Sequence, residues 1–381
     1  MIAQASLWPE ERQTLSDALE LTALSLNEYG RTNRHWVIAY SGGKDSTATV
    51  TVIDWLITQG RVTAPESLTV LYVDTRMELP PLQASAAQVL ARLEARGAIV
   101  QTILPALDKR LLVYILGRGV PPPKNTFRWC TRQLKLDPMR AAQQRLIGQH
   151  GEILLITGVR VGESAKRDQR IALSCGKDGA ECGQGWYQHQ DERGVDKLAP
   201  LLHWRVCNVW DWLTGQEHGL RHGYPTQMLA EAYGGDEAAE INARTGCMTC
   251  PLASRDVALE AVVELPQWAH FRPVLRLRAL WEELRAPHFR LRKAEGRMGP
   301  LTFEARMYGL NYVLAIQNEV NAVAQAKGLP SLNLLDAQEE ARIRELIARQ
   351  TWPNGWEGDE MTGDTFFVRP GQGEWLFGAD A

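Results

Sequence analysis

The sequence has 381 residues, 45% of them hydrophobic and 23% charged, with a formal net charge of -3. Those proportions exclude a disordered chain, and the length predicts about two domains. No apolar run reaches the ~20 residues of a membrane span. The first residues lack a basic stretch before an apolar core, so a cytoplasmic protein with no membrane partner is expected.

Leu15–Tyr29 is predicted as an amphipathic helix with Leu15, Ala18, Leu19 and Leu26 on one face. His35–Tyr40 reads as a short buried strand that ends in Ser41-Gly42-Gly43-Lys44-Asp45-Ser46, followed by a helix that stops near Gly60. Then come a strand Leu68–Val73, a helix Pro81–Arg96, a strand Ala98–Leu104 and a helix Thr131–Ile147 interrupted by Pro138. Strands at Ile153–Thr157 and Leu198–His203 and a helix opening at Asn208–Leu213 complete the series. Strands alternating with helices predict an α/β fold, a doubly wound and mostly parallel sheet. Beyond Gly215 the reading is helical, at Val257–Val263, Trp268–Leu284, Phe303–Gly328 and Asp336–Gln350, with a loop-like tail from Trp352. The expected organisation is an α/β domain over 1–215, with a cysteine-bearing insertion near 171–195, and a mainly helical region over 216–381.

The string Ser41–Ser46 lies where a strand hands over to a helix, so backbone N–H groups and the positive helix end attract phosphate. Gly42 and Gly43 let the backbone approach oxygens, Lys44 adds charge, and Ser41 and Ser46 add hydroxyls. The spacing of a Walker A loop is absent. The string resembles the signature of the PP-loop ATP pyrophosphatases, which cleave ATP between the α- and β-phosphates. That resemblance implies ATP as cofactor and Asp45 helping to hold Mg2+.

Asp74 and Thr75 follow the second strand, where ligands of open α/β sheets bind. From Arg118 to Arg140 stand six bases, Arg128 among them, against Asp137 alone, and a proline run precedes Arg128-Trp129-Cys130. Concentrated arginine suits a phosphate-rich substrate. After the fourth strand, Gly158-Val159-Arg160 leads to Glu163 and Arg167, where the two arginines could clamp phosphate and Glu163 could orient one of them.

Together the Ser41–Ser46 loop, the basic segment from Gly117 through Arg128-Trp129-Cys130, and the stretch from Gly158 to Arg167 resemble the DNA phosphorothioation ATP pyrophosphatases of the DndC and SspD type, within the phosphoadenylylsulfate reductase superfamily, over about His35 to Asp256. The resemblance implies that ATP activates a backbone phosphate of DNA by adenylation. Sulfur mobilised by a partner cysteine desulfurase then replaces an oxygen, with other DNA-modification subunits taking part. The catalytic groups so expected are Lys44, Asp45, Arg160 and Cys130. The nucleotide would be held by Ser41, Gly42, Gly43, Lys44, Asp45, Ser46, Asp74, Thr75, Arg128, Arg160, Glu163 and Arg167.

Six cysteines are too few for a disulfide scaffold in a chain of this size. Cys247 and Cys250 form a CxxC, Cys175 and Cys182 sit in a Gly-rich stretch, and Cys130 lies in the basic segment. Such thiols hold a 4Fe–4S cluster or zinc, and the cluster is the expectation. In the reductase relatives a cysteine aligned with Cys130 and a downstream CxxC hold the cluster, which implies Cys130, Cys247 and Cys250. Local spacing instead favours Cys175, Cys182, Cys247 and Cys250, leaving Cys130 free to carry persulfide. Cys207 is expected simply to pack.

Seven bases stand between Trp268 and Lys293, interleaved with Trp268, Phe271, Trp281 and Phe289. They read either as a DNA track or as a helix with its aromatics buried and its arginines in water. Two other reactions fit the loop, reduction of adenylylated sulfate and thiolation of tRNA. The first expects a redox cysteine after Cys250, and none follows.

Overall fold

The computed structural model describes residues 13–162, 169, 180–181, 186–189, 195–215, 222–233, 247–253 and 255–363. Glu163, Arg167, Cys175 and Cys182 lie outside the described residues.

Two compact units alternate along the chain, one comprising Met1–Tyr72, Leu82–Thr102 and Ala141–Ile241, the other Val73–Pro81, Ile103–Arg140 and Asn242–Ala381. The division therefore differs from a single cut at 215. Segments that leave the ends of strands pack with residues from late in the chain rather than with their sequence neighbours.

The first unit is built on the expected α/β sheet. Helix α1 (Leu15–Gly30) precedes β1 (His35–Tyr40), α2 (Lys44–Thr58), β2 (Ser67–Val73), α3 (Pro80–Glu94) and β3 (Ile99–Ile103). After α4 (Asp137–His150) come β4 (Ile153–Ile156), β5 (Ala180–Glu181), β6 (Trp186–Gln188) and β7 (Val195–Ala199), then α5 (Val206–Thr214) and α6 (Gln227–Tyr233). The sheet order is β3-β2-β1-β4-β7-β6-β5. β1 runs parallel to both β2 and β4, β4 runs parallel to β7, and β6 and β5 add an antiparallel edge. Ile38, Val70, Leu154 and Ile156 are fully buried, as in strands covered on both faces. The chain leaves β1 toward β2 and returns on the other side as β4. That reversal opens a crevice at the carboxyl ends of β1 and β4, where such sheets bind ligands.

Three expected boundaries move, each beside a proline. The strand expected at Leu198–His203 is β7, which stops before Pro200, a residue with no N–H for the ladder. The helix expected from Thr131 begins as a π-type turn, Thr131–Leu136, and α4 follows with Pro138 in its first turn, where the missing N–H costs nothing. The helix expected at Trp268–Leu284 is a 3-10 stretch, Ala269–Arg276, containing Pro273, before a shorter α-helix.

The second unit carries α7 (Val257–Val262), α8 (Leu277–Glu283), α9 (Phe303–Lys327) and α10 (Ala337–Ala348). It also contains a small antiparallel sheet that the helical reading did not foresee. Its strands are β8 (Arg290–Arg292), β9 (Met298–Leu301) and β10 (Met361–Thr362), in the order β10-β8-β9. These strands are two to four residues long, too short for sequence alternation to register. No helix among the described residues is long and apolar enough to cross a membrane.

Candidate functional site

The first unit places the Ser41–Ser46 loop at the crevice. Gly42 takes φ +75°, a left-handed conformation that favours glycine, and a Cβ there would stand 3.3 Å from that of Ala86. Gly43 is the N-cap of α2 and supplies no capping side chain, so the helix presents its first N–H groups to the loop. The hydroxyls of Ser41 and Ser46 lie 3.0 Å apart, and Ser46 Oγ donates to the Gly43 carbonyl at 3.0 Å. These bonds fix the curl of the loop.

Lys44 and Arg160 converge on one carboxylate. Lys44 Nζ lies 3.2 Å from Asp45 Oδ2, and Arg160 Nε donates to Asp45 Oδ1. Arg160 is 5% exposed, and its Nη1 also donates to the Trp204 carbonyl at 3.4 Å. Gly158 permits this approach. A Cβ there would lie 2.9 Å from Thr49 Oγ1 and 3.0 Å from the Asp45 carbonyl. Arg160 was expected to clamp phosphate; its charge is spent on Asp45, because the end of β4 packs directly on α2.

Tyr233, at the end of α6, completes this group and was missed by the sequence reading. Its hydroxyl accepts from the Lys44 N–H at 3.4 Å, and Lys44 Nζ stands 5.5 Å from its ring centre. Nothing in Gln227–Tyr233 marks the residue. Only the fold brings it to a loop 189 positions away.

The second unit gathers Asp74, Thr75 and the thiols. Asp74 Oδ1 accepts from the Arg76 N–H at 2.8 Å, a turn that holds Arg76 at φ +64°. Thr75 is 2% exposed and donates through Oγ1 to Glu78 at 2.7 Å. The Met248 N–H donates to the Met77 carbonyl at 2.6 Å, which pins the CxxC loop to this turn. Burial pushes the Cys247 thiol up to about 11; Lys135 and a hydrogen bond from Thr75 oppose the shift, while the Glu78 and Cys250 charges add to it. Burial also raises the Cys130 thiol, and Cys250 contributes in the same direction. Glu78 is itself held above the usual carboxylate range by burial, against the pull of Lys135.

Cys130, Cys247 and Cys250 thus share one electrostatic neighbourhood, and soft thiols suit an iron–sulfur centre or zinc. Among the described residues, no three His, Cys, Asp or Glu side chains converge on a metal position. Glu78 and Lys135 belong to the thiol surroundings; the sequence reading counts Lys135 only among the six bases from Arg118 to Arg140 and gives Glu78 no role. The clue was proximity: Glu78 lies four residues from Asp74, and Lys135 five from Cys130. Arg128 is exposed, and Cys207 lies half-buried in α5.

The basic helical stretch of the second unit resolves the two readings left open. Trp268, Phe271 and Trp281 are 3%, 1% and 1% exposed, so they form core and cannot stack on bases. Several of the bases are already paired: Arg272 with Glu264, Arg276 with Glu319, and Lys293 with Glu360.

Residues 35–252 match the phosphoadenosine phosphosulfate reductase domain. An uncharacterized protein of Methanocaldococcus jannaschii is 24% identical over 254 residues, covering 66% of this chain. The chain spans 43% of that relative's length. Phosphoadenylyl-sulfate (PAPS) reductase from Candida auris, in its phosphate complex, aligns at TM-score 0.34 and 13% identity, over 55% of this chain and 88% of that one. The U34-tRNA thiolase NcsA of Methanococcus maripaludis, with its [4Fe-4S] cluster, aligns at TM-score 0.37 and 14% identity, over 71% and 79%. The matched domain runs from the first residue of β1 to just past the CxxC and takes in more than half of the sequence, so the chain belongs to the phosphoadenosine phosphosulfate reductase domain family.

Proposed function

We propose that the protein is an ATP pyrophosphatase that adenylates a backbone phosphate of DNA and so readies it for sulfur insertion. The observation that carries the reading is the intact loop whose Lys44 and Arg160 are set around Asp45 at the mouth of the sheet crevice. Backbone N–H groups at the head of α2 hold the triphosphate. Lys44 brings positive charge to the phosphates, and Asp45, fixed by Arg160, holds that ammonium in place. Both oxygens of Asp45 already face cations, so Mg2+ is read as arriving on its substrate, MgATP.

In the first step an oxygen of the DNA phosphate attacks the α-phosphorus. The α–β bridging P–O bond breaks and diphosphate leaves. Hydrosulfide, released when a reducing thiol attacks the persulfide of a cysteine desulfurase partner and remains behind as a disulfide with it, then attacks the adenylated backbone phosphorus. A P–S bond forms, the P–O bond to AMP breaks, and AMP carries away the former backbone oxygen. Adenylation matters because AMP is a far better leaving group than oxide.

The thiols of the second unit support the sulfur half of this reading. Cys130, Cys247 and Cys250 would hold a 4Fe–4S cluster, with zinc as the alternative. Such a cluster would supply an iron able to bind incoming sulfide.

The test is to incubate the purified protein with MgATP, DNA and sulfide, measuring diphosphate, then digesting the DNA and seeking phosphorothioate dinucleotides by mass spectrometry. Both products are expected, and both are expected to vanish with Lys44→Ala. A protein that never releases diphosphate in the presence of DNA would overturn the proposal.

A further inference from the structure

A cavity of about 860 Å³ opens in the second unit, walled by the proline run on one side and the small sheet on the other. Lys124, Arg285, Arg290 and Arg297 line it, together with Phe127 and Trp356. Glu295 is the sole acid on its wall among the described residues. None of the four bases forms an ion pair with a carboxylate among the described residues. This sets them apart from the arginines of the neighbouring helical stretch, which are neutralised by Glu264 and Glu319.

The walls are built rather than loose. The Lys124 carbonyl accepts from the Phe127 N–H at 2.8 Å, and the return bond spans 3.3 Å. That two-residue turn brings both Lys124 and Phe127 to the cavity wall, and Phe127 is 44% exposed. Trp129 Nε1 donates to the Pro121 carbonyl at 3.2 Å, and Arg285 donates to the Pro123 carbonyl, so both ends of the proline run are tied down. Arg290 grips the Gly299 carbonyl with Nε and Nη2 at 2.8 and 2.6 Å. Burial and the nearby Arg285 charge depress the Arg290 guanidinium to about 10. Four bases against Glu295 on the wall, with Glu282 acting on Arg285 from nearby, leave an excess of positive charge that gains from an anion. Arg285 Nη2 also lies 3.3 Å from the Pro251 carbonyl, next to Cys250, so an anion seated here lies beside the thiol loop of the same unit.

We propose that this cavity seats a single-stranded stretch of DNA, with its phosphates on the four bases and an unpaired base against Phe127. Four cations contributed by separate stretches of the wall suit successive phosphates better than one compact anion, and an exposed aromatic suits a base freed from pairing. The choice of DNA among phosphate polymers rests on the proposed function; the cavity itself does not.

Anisotropy of a fluorescent 12-nucleotide DNA strand, titrated without ATP at several salt concentrations, tests the site. Among the described residues the exposed Lys124 and Arg297 side chains make no hydrogen bond or ion pair, and Arg297 only stands 6.0 Å from the Trp356 ring centre, so Lys124→Glu and Arg297→Glu are expected to leave the fold intact. Each is expected to weaken binding about tenfold and to lower the salt slope by about one. Phe127→Ala is expected to weaken it roughly tenfold with the slope unchanged. Arg272→Glu with Arg276→Glu, which alters paired arginines, should change neither. Duplex of the same sequence is expected to bind more weakly.

Unchanged affinity and slope in Lys124→Glu and Arg297→Glu would overturn the proposal. So would equal binding of duplex, tighter binding of an RNA strand, or displacement by AMP at concentrations matching the strand's own nucleotides. If these variants lose binding while the wild type releases no diphosphate, the cavity stands and the pyrophosphatase reading falls. Diphosphate release with binding indifferent to the variants gives the reverse.

Discussion

Arg160 donates from Nε to the Asp45 carboxylate across 115 positions of sequence, locking the segment after β4 to the first turn of α2. Both side chains are largely enclosed, at 6% and 15% exposure. Arg160→Ala would leave Asp45 with Lys44 alone and is expected to lower stability by about 2 kcal/mol, since removing one partner of an enclosed pair strands the other. Diphosphate release should fall about 100-fold. Denaturant unfolding of Arg160→Ala, Asp45→Asn and the double variant would measure the coupling, expected to exceed about 1 kcal/mol. Strict additivity would show that the two do not act as a pair.

Tyr233 offers Lys44 two contacts that can be separated. Tyr233→Phe keeps the ring beneath the ammonium and removes the hydroxyl that accepts the Lys44 N–H. A rise of about threefold in KM for ATP is expected. Tyr233→Leu removes the ring as well and should raise KM about tenfold. Steady-state kinetics at saturating DNA would decide, and equal KM values in all three proteins would remove Tyr233 from the site.

The thiols of the second unit make a prediction that needs no turnover. Protein purified without oxygen should be brown and carry iron, and Cys130→Ala, Cys247→Ala and Cys250→Ala should each lose most of it. Visible absorbance with an iron and zinc assay reads the outcome. A colourless protein with stoichiometric zinc would replace the cluster by the alternative metal.

His222 gives the first unit a pH dependence. Its Nε2 donates to the Trp212 carbonyl at 2.7 Å, and its Nδ1 accepts from the Tyr224 N–H at 3.1 Å, a pairing only the neutral ring can make. Burial holds its pKa below the ordinary 6.5, as it does for His203. Below pH 6.5 the unfolded chain therefore binds more protons than the folded one, and stability rises with pH. The contribution is complete above 6.5 and is lost as pH falls toward the depressed folded value. The unfolding midpoint should drop by several degrees between pH 7.5 and 5.5, and His222→Gln should flatten that drop while lowering the midpoint at pH 7.5.

The loop was legible because its six residues are adjacent, and the sheet because β1, β2 and β4 are apolar on both faces. What escaped the sequence was pairing at a distance. Arg160 read as a phosphate clamp, since nothing near it reveals that Asp45 is its neighbour. The Trp268–Lys293 stretch fitted two surfaces equally well, and the choice lay with Glu264, Glu319 and Glu360, carboxylates on other segments of the same unit. Tyr233 carried no local mark at all. The cations of the cavity come from three stretches that only tertiary packing collects.

The interleaving of the two units has a genetic corollary. The chain crosses from one to the other after Tyr72, Pro81, Thr102, Arg140 and Ile241. No scissor cut in the gene can therefore release either half intact, and recombination could not have traded one for a foreign counterpart in a single exchange. Loop chemistry and thiol chemistry must be inherited as one piece.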